Sequence, residues 1–158
     1  MEDKLLEEKN IREILYTLEN FKFPKNYNRN KISYEKFSYS ITFGRIQFFR
    51  KYFNSKYNKI FPEIFELLQK FLQNSQYSNF KYTTITINKN FKCKPHKDIN
   101  NIGNSLIIGL GNYINGNLNI SNKSFDIHNK FLLFDGSKNL HYVEDFEGNR
   151  YTIIYYNM

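Results

Sequence analysis

From residue 79 onward the chain is a succession of short segments rich in β-branched and aromatic residues. KYTTITINKN, FKCKPHKD, SLIIGLG, GNLNIS, SFDIH, KFLLFDG, LHYV and RYTIIYY follow one another, punctuated by NNIGN, GNYINGN, SNK, HNK, DGSKN and EDFEGN. Gly, Asn and Asp tolerate positive φ or hydrogen-bond to their own backbone, so such clusters mark chain reversals. About eight short strands at this spacing predict a sandwich or barrel, and eight is the strand number of a jelly roll.

The first half reads differently. In EDKLLEEKNIREILYTLEN, Ile11, Ile14, Leu15 and Leu18 recur at helical spacing, behind an acidic start that suits the positive end of the helix dipole. Residues 21 to 37 are rich in Lys, Asn and Tyr and contain Pro24, and read as a loop. FSYSITFGRIQFF alternates like a strand near 38–44, and its continuation past Gly44 is open. Phe61, Ile64, Phe65, Leu68, Phe71 and Leu72 predict a helix ending near Asn74, with Pro62 in its first turn. The expected fold is therefore α+β, mainly β, with N-terminal helices bracing a jelly-roll core. Residues 1–158 form a single domain, with 1–78 as support and 79–158 as the core.

With 16 Phe and 13 Tyr, the chain has apolar material for a core, which argues against disorder. Its net charge of +8 admits a polyanionic partner, nucleic acid first, or simply the lysine bias of an AT-rich, possibly viral, genome. Cys93 is the single cysteine, so no disulfide framework forms within the chain, as suits an intracellular setting in cytoplasm or nucleus. MEDKLLEEKN lacks the apolar stretch of a secretory signal, and no run of eighteen apolar residues predicts a membrane partner.

Residues i and i+2 of a strand share a face. If PHKD ends a strand, His96 and Asp98 project together, either as two metal ligands or as an ordinary charged bend. Two His and one carboxylate make the facial triad of non-haem Fe(II) sites, with three positions left open. His141, opening LHYV, is the candidate third ligand; His128 reads as a solvated turn residue. In GNRYTIIYY, Arg150, Thr152, Ile154 and Tyr156 share a face, on a strand expected to run back beside His141. An inward Arg150 needs an anion, because an unpaired buried charge is costly. A carboxylate held bidentately, with Thr152 adding one hydrogen bond, would satisfy it; so would a surface pair with Glu144, Asp145 or Glu147.

H-x-D, a distal H and R-x-T nine residues later, in that order among short strands, resemble the Fe(II)/2-oxoglutarate-dependent dioxygenases with a double-stranded β-helix core. H-x-D-x-N-N-x-G-x-S followed by G-L-G-x-Y-x-x-G is similar to the TET/JBP branch and its viral, algal and fungal relatives, which hydroxylate the 5-methyl group of pyrimidines in nucleic acid. The resemblance implies that His96, Asp98 and His141 bind Fe(II). It implies that Arg150 and Thr152 hold 2-oxoglutarate, with O2 as co-substrate. Asn101, and more weakly Asn88, would lie near substrate or co-substrate. Nucleic acid is the implied partner, DNA ahead of RNA. Lys89, Lys92, Lys94 and Lys97 are candidate phosphate contacts, or else a solvated face, and Phe91 or Tyr113 candidate stacking surfaces. The same chemistry on a protein side chain or small molecule, and a non-enzymatic jelly-roll binding module, are the alternatives.

Overall fold

The computed structural model describes residues 2–158. It contains the helices α1 (Glu2–Glu19), α2 (Tyr57–Ile60) and α3 (Pro62–Gln73). The strands of the N-terminal half are β1 (Lys25–Asn26), β2 (Ser38–Phe48) and β3 (Lys51–Asn54). Nine more follow: β4 (Thr84–Lys89), β5 (Ser105–Gly111), β6 (Ile114–Asn115), β7 (Leu118–Ile120), β8 (Lys123–Phe125), β9 (Phe131–Phe134), β10 (His141–Val143), β11 (Phe146–Glu147) and β12 (Arg150–Tyr156).

The main sheet runs β1-β2-β4-β12-β5-β9, with β3 paired to β2 as a hairpin beyond the sheet. Its pairings are antiparallel. A smaller antiparallel sheet, β10-β7-β8, packs against it, and β11-β6 forms a short ribbon. This is the α+β, mainly β, jelly-roll architecture that the strand pattern predicts.

Period-two alternation divides the main sheet into two faces. Ile41 and Phe43, Ile85 and Ile87, Leu106, Ile108 and Leu110, and Tyr151, Ile153 and Tyr155 point to one side. There they bury against Ile14 and Leu18 of α1 and Leu68, Phe71 and Leu72 of α3. The helices thus brace one face, and Tyr155 Oη donates to the Leu68 carbonyl beneath them (2.6 Å). The intervening residues, Asn88, Ser105, Ile107, Arg150, Thr152 and Ile154, point the other way, toward the small sheet. Leu118 and Ile120 of that sheet, with Ile127 and Phe134, close a second core over Ile107. A one-residue slip in β12 would move Arg150 into the helix-side core, so register is strongly specified.

Three expectations change. FKCKPHKD is not a continuous strand: its bridges are isolated, Cys93 with Ser33 and His96 with His141. Pro95 has no N–H to give a ladder, which breaks the run. SFDIH ends as a strand at Phe125, because Asp126 turns back to accept from the His128 N–H (2.9 Å). The strand carrying Arg150 does not lie beside His141. β12 sits between β4 and β5 of the main sheet, while His141 belongs to the small sheet opposite. Past Gly44, β2 continues to Phe48 and folds back through β3.

Candidate metal centre

His96 and His141 come from opposite ends of the core sequence and meet as direct neighbours. Each backbone N–H donates to the other's carbonyl at 3.0 Å, and the ring centroids stand 4.4 Å apart. Asp98 is pinned two residues on by its N–H to the Gly136 carbonyl (2.8 Å). Its two oxygens then reach the two imidazoles: Oδ1 lies 3.4 Å from His96 Nε2 and Oδ2 3.2 Å from His141 Nε2. One ligand atom from each of the three residues falls within a 4.8 Å cluster.

The ring tautomers suit a cation. His96 Nδ1 lies 2.6 Å from the Lys94 carbonyl and His141 Nδ1 2.9 Å from the Asn139 carbonyl. A carbonyl only accepts, so each Nδ1 carries its proton, and in the neutral ring Nε2 presents its lone pair to the cluster. Burial opposes a charge on His96, but Asp98 and the Cys93 side chain outweigh it and push the imidazole up to about 10. Burial would raise the Asp98 carboxyl, yet the hydrogen bonds from His141 and His96 hold it well below the usual carboxylate range. These shifts favour the charged His96–Asp98 pair when no cation is bound, and a metal ion competes with the imidazole's proton. A Cβ at Gly136 would sit 3.1 Å from His141 Cε1 and 3.3 Å from Asp98 Oδ2, so a larger residue there would press on both side chains.

The cluster opens into a cavity between the sheets that also holds Arg150, Thr152, Asn88, Ser105 and apolar walls from Ile107, Leu118, Phe134 and Val143. Arg150 is 2% exposed. Its Nε donates to the Gly116 carbonyl (3.1 Å), its guanidinium lies 5.3 Å from the Tyr113 ring centre and 5.8 Å from that of Phe146, and its Nη2 has no partner among the described residues. Burial pulls its pKa down. Asp145 pairs with Lys92, and Glu144 accepts from Asn119 and Ser124, so the acids of the EDFEGN turn do not compensate it. A buried guanidinium with a free N–H, in the same cavity as the triad, has the chemistry to pair with a carboxylate. Two imidazoles and a carboxylate are a donor set that can hold a divalent metal ion.

Asn88 is buried in this cavity, donating to Thr152 Oγ1 (3.3 Å) and accepting from Arg29 Nη1 (3.0 Å). Asn101 turns back so that its N–H meets the Asp98 carbonyl (3.0 Å). It lines a separate open depression with Lys97, Thr42, Tyr156 and Met158, which touches the cavity at Arg29, Asp98 and Ile154. Phe91 lines the cavity beneath Arg29, whose guanidinium is 4.7 Å from its ring centre. Tyr113 is buried against His128 and Arg150, so its ring is not free to stack on a base. His128 is no solvated turn residue. It is half-buried, with Nε2 2.7 Å from the Gly111 carbonyl.

Arg29 is a cavity-lining side chain that the sequence conceals. It stands in the loop after β1, a stretch with no strand or helix period. The loop is tied down by the Ser33–Cys93 bridge and by Lys94 N–H to the Ile32 carbonyl (2.7 Å).

No protein-family model matches the chain, and no curated protein does. Among solved structures, the chain is similar to NgTET1 in complex with 5mC DNA. The TM-score is 0.60 at 17% identity, over 98% of this chain and 67% of that one. At that identity the likeness establishes a shared fold. No helix among the described residues is long and apolar enough to cross a membrane.

Proposed function

We propose that this chain is an Fe(II)/2-oxoglutarate-dependent dioxygenase that hydroxylates the 5-methyl group of a pyrimidine in nucleic acid, DNA ahead of RNA. The observation that carries the reading is the pairing, in one cavity, of a His96–Asp98–His141 cluster with an uncompensated Arg150. The shared fold with NgTET1, solved with 5mC DNA, and the chain's +8 charge support the choice of substrate.

His96, Asp98 and His141 would hold the metal, and Arg150 with Thr152 the distal carboxylate of 2-oxoglutarate. Bound Fe(II) and 2-oxoglutarate supply O2-dependent conversion of a C–H bond to an alcohol, with succinate and CO2 as co-products. The chain's own part is placement. Lys94 and Asn139 carbonyls orient the imidazoles, and Gly116 and Asn88 orient Arg150 and Thr152. Ile107, Leu118, Phe134 and Val143 keep water from the reacting centre. Asn101 and Lys97, in the open depression at the edge of Asp98, lie on the side from which a base would enter.

The test combines Fe(II) and 2-oxoglutarate anaerobically and looks for the visible charge-transfer band of the chelate. Air and methylated DNA are then added, and nucleosides are analysed by mass. A band and one added oxygen on a pyrimidine are expected. A band without DNA oxidation would move the substrate elsewhere, and no band would refute the iron site.

A further inference from the structure

Between Lys36 and Pro62 the chain carries Lys36, Arg45, Arg50, Lys51, Lys56 and Lys59 and no acidic residue. This segment therefore contributes +6 of the chain's net charge of +8. Its centre is the β2–β3 hairpin, whose tip reads FFRKYF. Phe48 is 63% exposed, Phe49 83%, Tyr52 47% and Phe53 49%. Four such rings in six residues exceed what a surface carries without use.

The turn is unusual in a second way. Phe48 pairs with Lys51, leaving a two-residue loop, and both loop residues have positive φ: Phe49 at 49° and Arg50 at 64°. Asn-Gly is the favoured pair for that turn, because a Cβ is strained there. A bulky ring and an arginine are held in a conformation that costs folding energy and displays both to solvent. Stability and solubility would each select different residues.

We propose that the β2–β3 hairpin is a nucleic-acid-binding finger. Unpaired bases stack on Phe48, Phe49, Tyr52 and Phe53, while Arg50 and Lys51 meet the phosphates. The inference deepens the function proposed above, resting on a nucleic-acid substrate, and does not require the iron chemistry. Charge selects a polyanion. Ring placement selects a single strand over a lipid surface or a second copy of the chain. Tyr52 and Phe53 are successive strand residues and face opposite sides, and all of β3 is exposed. Rings on both faces and at the tip suit intercalated bases, whereas a membrane or a dimer needs one apolar plane.

The finger is also joined to the candidate site. At its root, Arg45 lies 4.0 Å from the Tyr52 ring centre, and its Nη2 donates to the Met158 carbonyl (2.6 Å). Met158 borders the depression that holds Lys97, Asn101 and the edge of Asp98. The root of the finger is thereby tied to a residue that borders the depression beside Asp98.

The test measures fluorescence anisotropy of a labelled single-stranded methylated oligonucleotide with metal-free protein across a salt series. The F49N/R50G variant keeps the turn and its positive φ but relieves the strain that bulkier side chains suffer there. It is expected to bind about ten-fold more weakly or worse, with a melting temperature equal to or above wild type. R50S/K51S should lower the slope of log K against log salt by about 1.4, at roughly 0.7 per phosphate contact on a single strand. Unchanged affinity in F49N/R50G would overturn the finger, as would a duplex that competes equally with the single strand. Wild-type protein that ignores the oligonucleotide but binds phosphatidylserine vesicles, or that self-associates through the hairpin, would overturn it too. A variant that loses binding while wild type oxidises no base would leave the finger standing and remove the proposed activity. A variant that binds and oxidises like wild type would do the reverse.

Discussion

Replacing Arg150 with Met removes the guanidinium and keeps much of its apolar stem. In the ligand-free protein this should not hurt, because Nη2 is buried without a partner and the charge is uncompensated; exchange of an unpaired buried charge for an apolar group is neutral or stabilising. The effect should appear when 2-oxoglutarate is added. Losing one side of a buried charge pair costs about 2–5 kcal/mol of binding, or roughly 30-fold to several thousand-fold in Kd. A ligand at about 100 times its Kd stabilises by about 2.7 kcal/mol, which in a chain of this size is roughly 5–11 °C in Tm. A 30-fold weaker variant at the same concentration retains about 0.9 kcal/mol, or roughly 2–4 °C. The assay is thermal unfolding under nitrogen with Fe(II), with and without 2-oxoglutarate, for both proteins. A variant that keeps the full ligand-dependent shift would refute Arg150 as the carboxylate receptor. A variant much less stable than wild type without ligand would refute the claim that the charge is uncompensated.

Other outcomes follow from the same geometry. His96→Ala, Asp98→Ala and His141→Ala should each abolish succinate formation and iron binding. His128→Ala should keep both and lose about 1 kcal/mol of stability with the Gly111 hydrogen bond, read by urea unfolding. Gly136→Ala should weaken metal binding without unfolding the chain, since its methyl would press on His141 and Asp98, seen in a metal titration beside circular dichroism. The metal-free cluster also sets a pH dependence. His96 is raised from 6.5 to about 10, so its stabilisation is full below pH 6.5 and lost as pH rises through about 10. Asp98 is lowered from 3.8, so its contribution is present above that value and lost as pH falls through the lowered folded pKa. A divalent ion must displace the proton that His96 carries below its raised pKa, so metal affinity should climb with pH across the neutral range. Calorimetry in two buffers of different ionisation enthalpy should show about one proton released per ion bound.

Local pattern carried the secondary structure well where the period was long. Ile14 and Leu18, and Leu68, Phe71 and Leu72, declare amphipathic helices, and those residues are the ones buried against the main sheet. Alternation in SLIIGLG and RYTIIYY likewise placed Arg150 and Thr152 on one face and Tyr151 and Ile153 on the other. FKCKPHKD misled because its place between turn-forming clusters says nothing about whether a partner strand is present, and Pro95 breaks the ladder. R-x-T was legible because strand geometry ties spacing to direction; H-x-D was legible only by residue type and order, since His96 is held by an isolated bridge and Asp98 lies beyond it.

What tertiary structure alone decided is who meets whom. His96 and His141 become neighbours across 44 intervening positions, and β12 takes its place between β4 and β5 instead of beside His141. Asp145 could have neutralised Arg150 and pairs with Lys92 instead. Arg29 reaches Asn88 from a loop without period, and Arg45 at the root of the β2–β3 hairpin bonds Met158, which borders the depression at Asp98. Each of these contacts spans a long loop, whose closure is offset by burial summed over a whole sheet and not by any local preference. Sequence period determines which way a side chain points; only the packed register determines what it finds there.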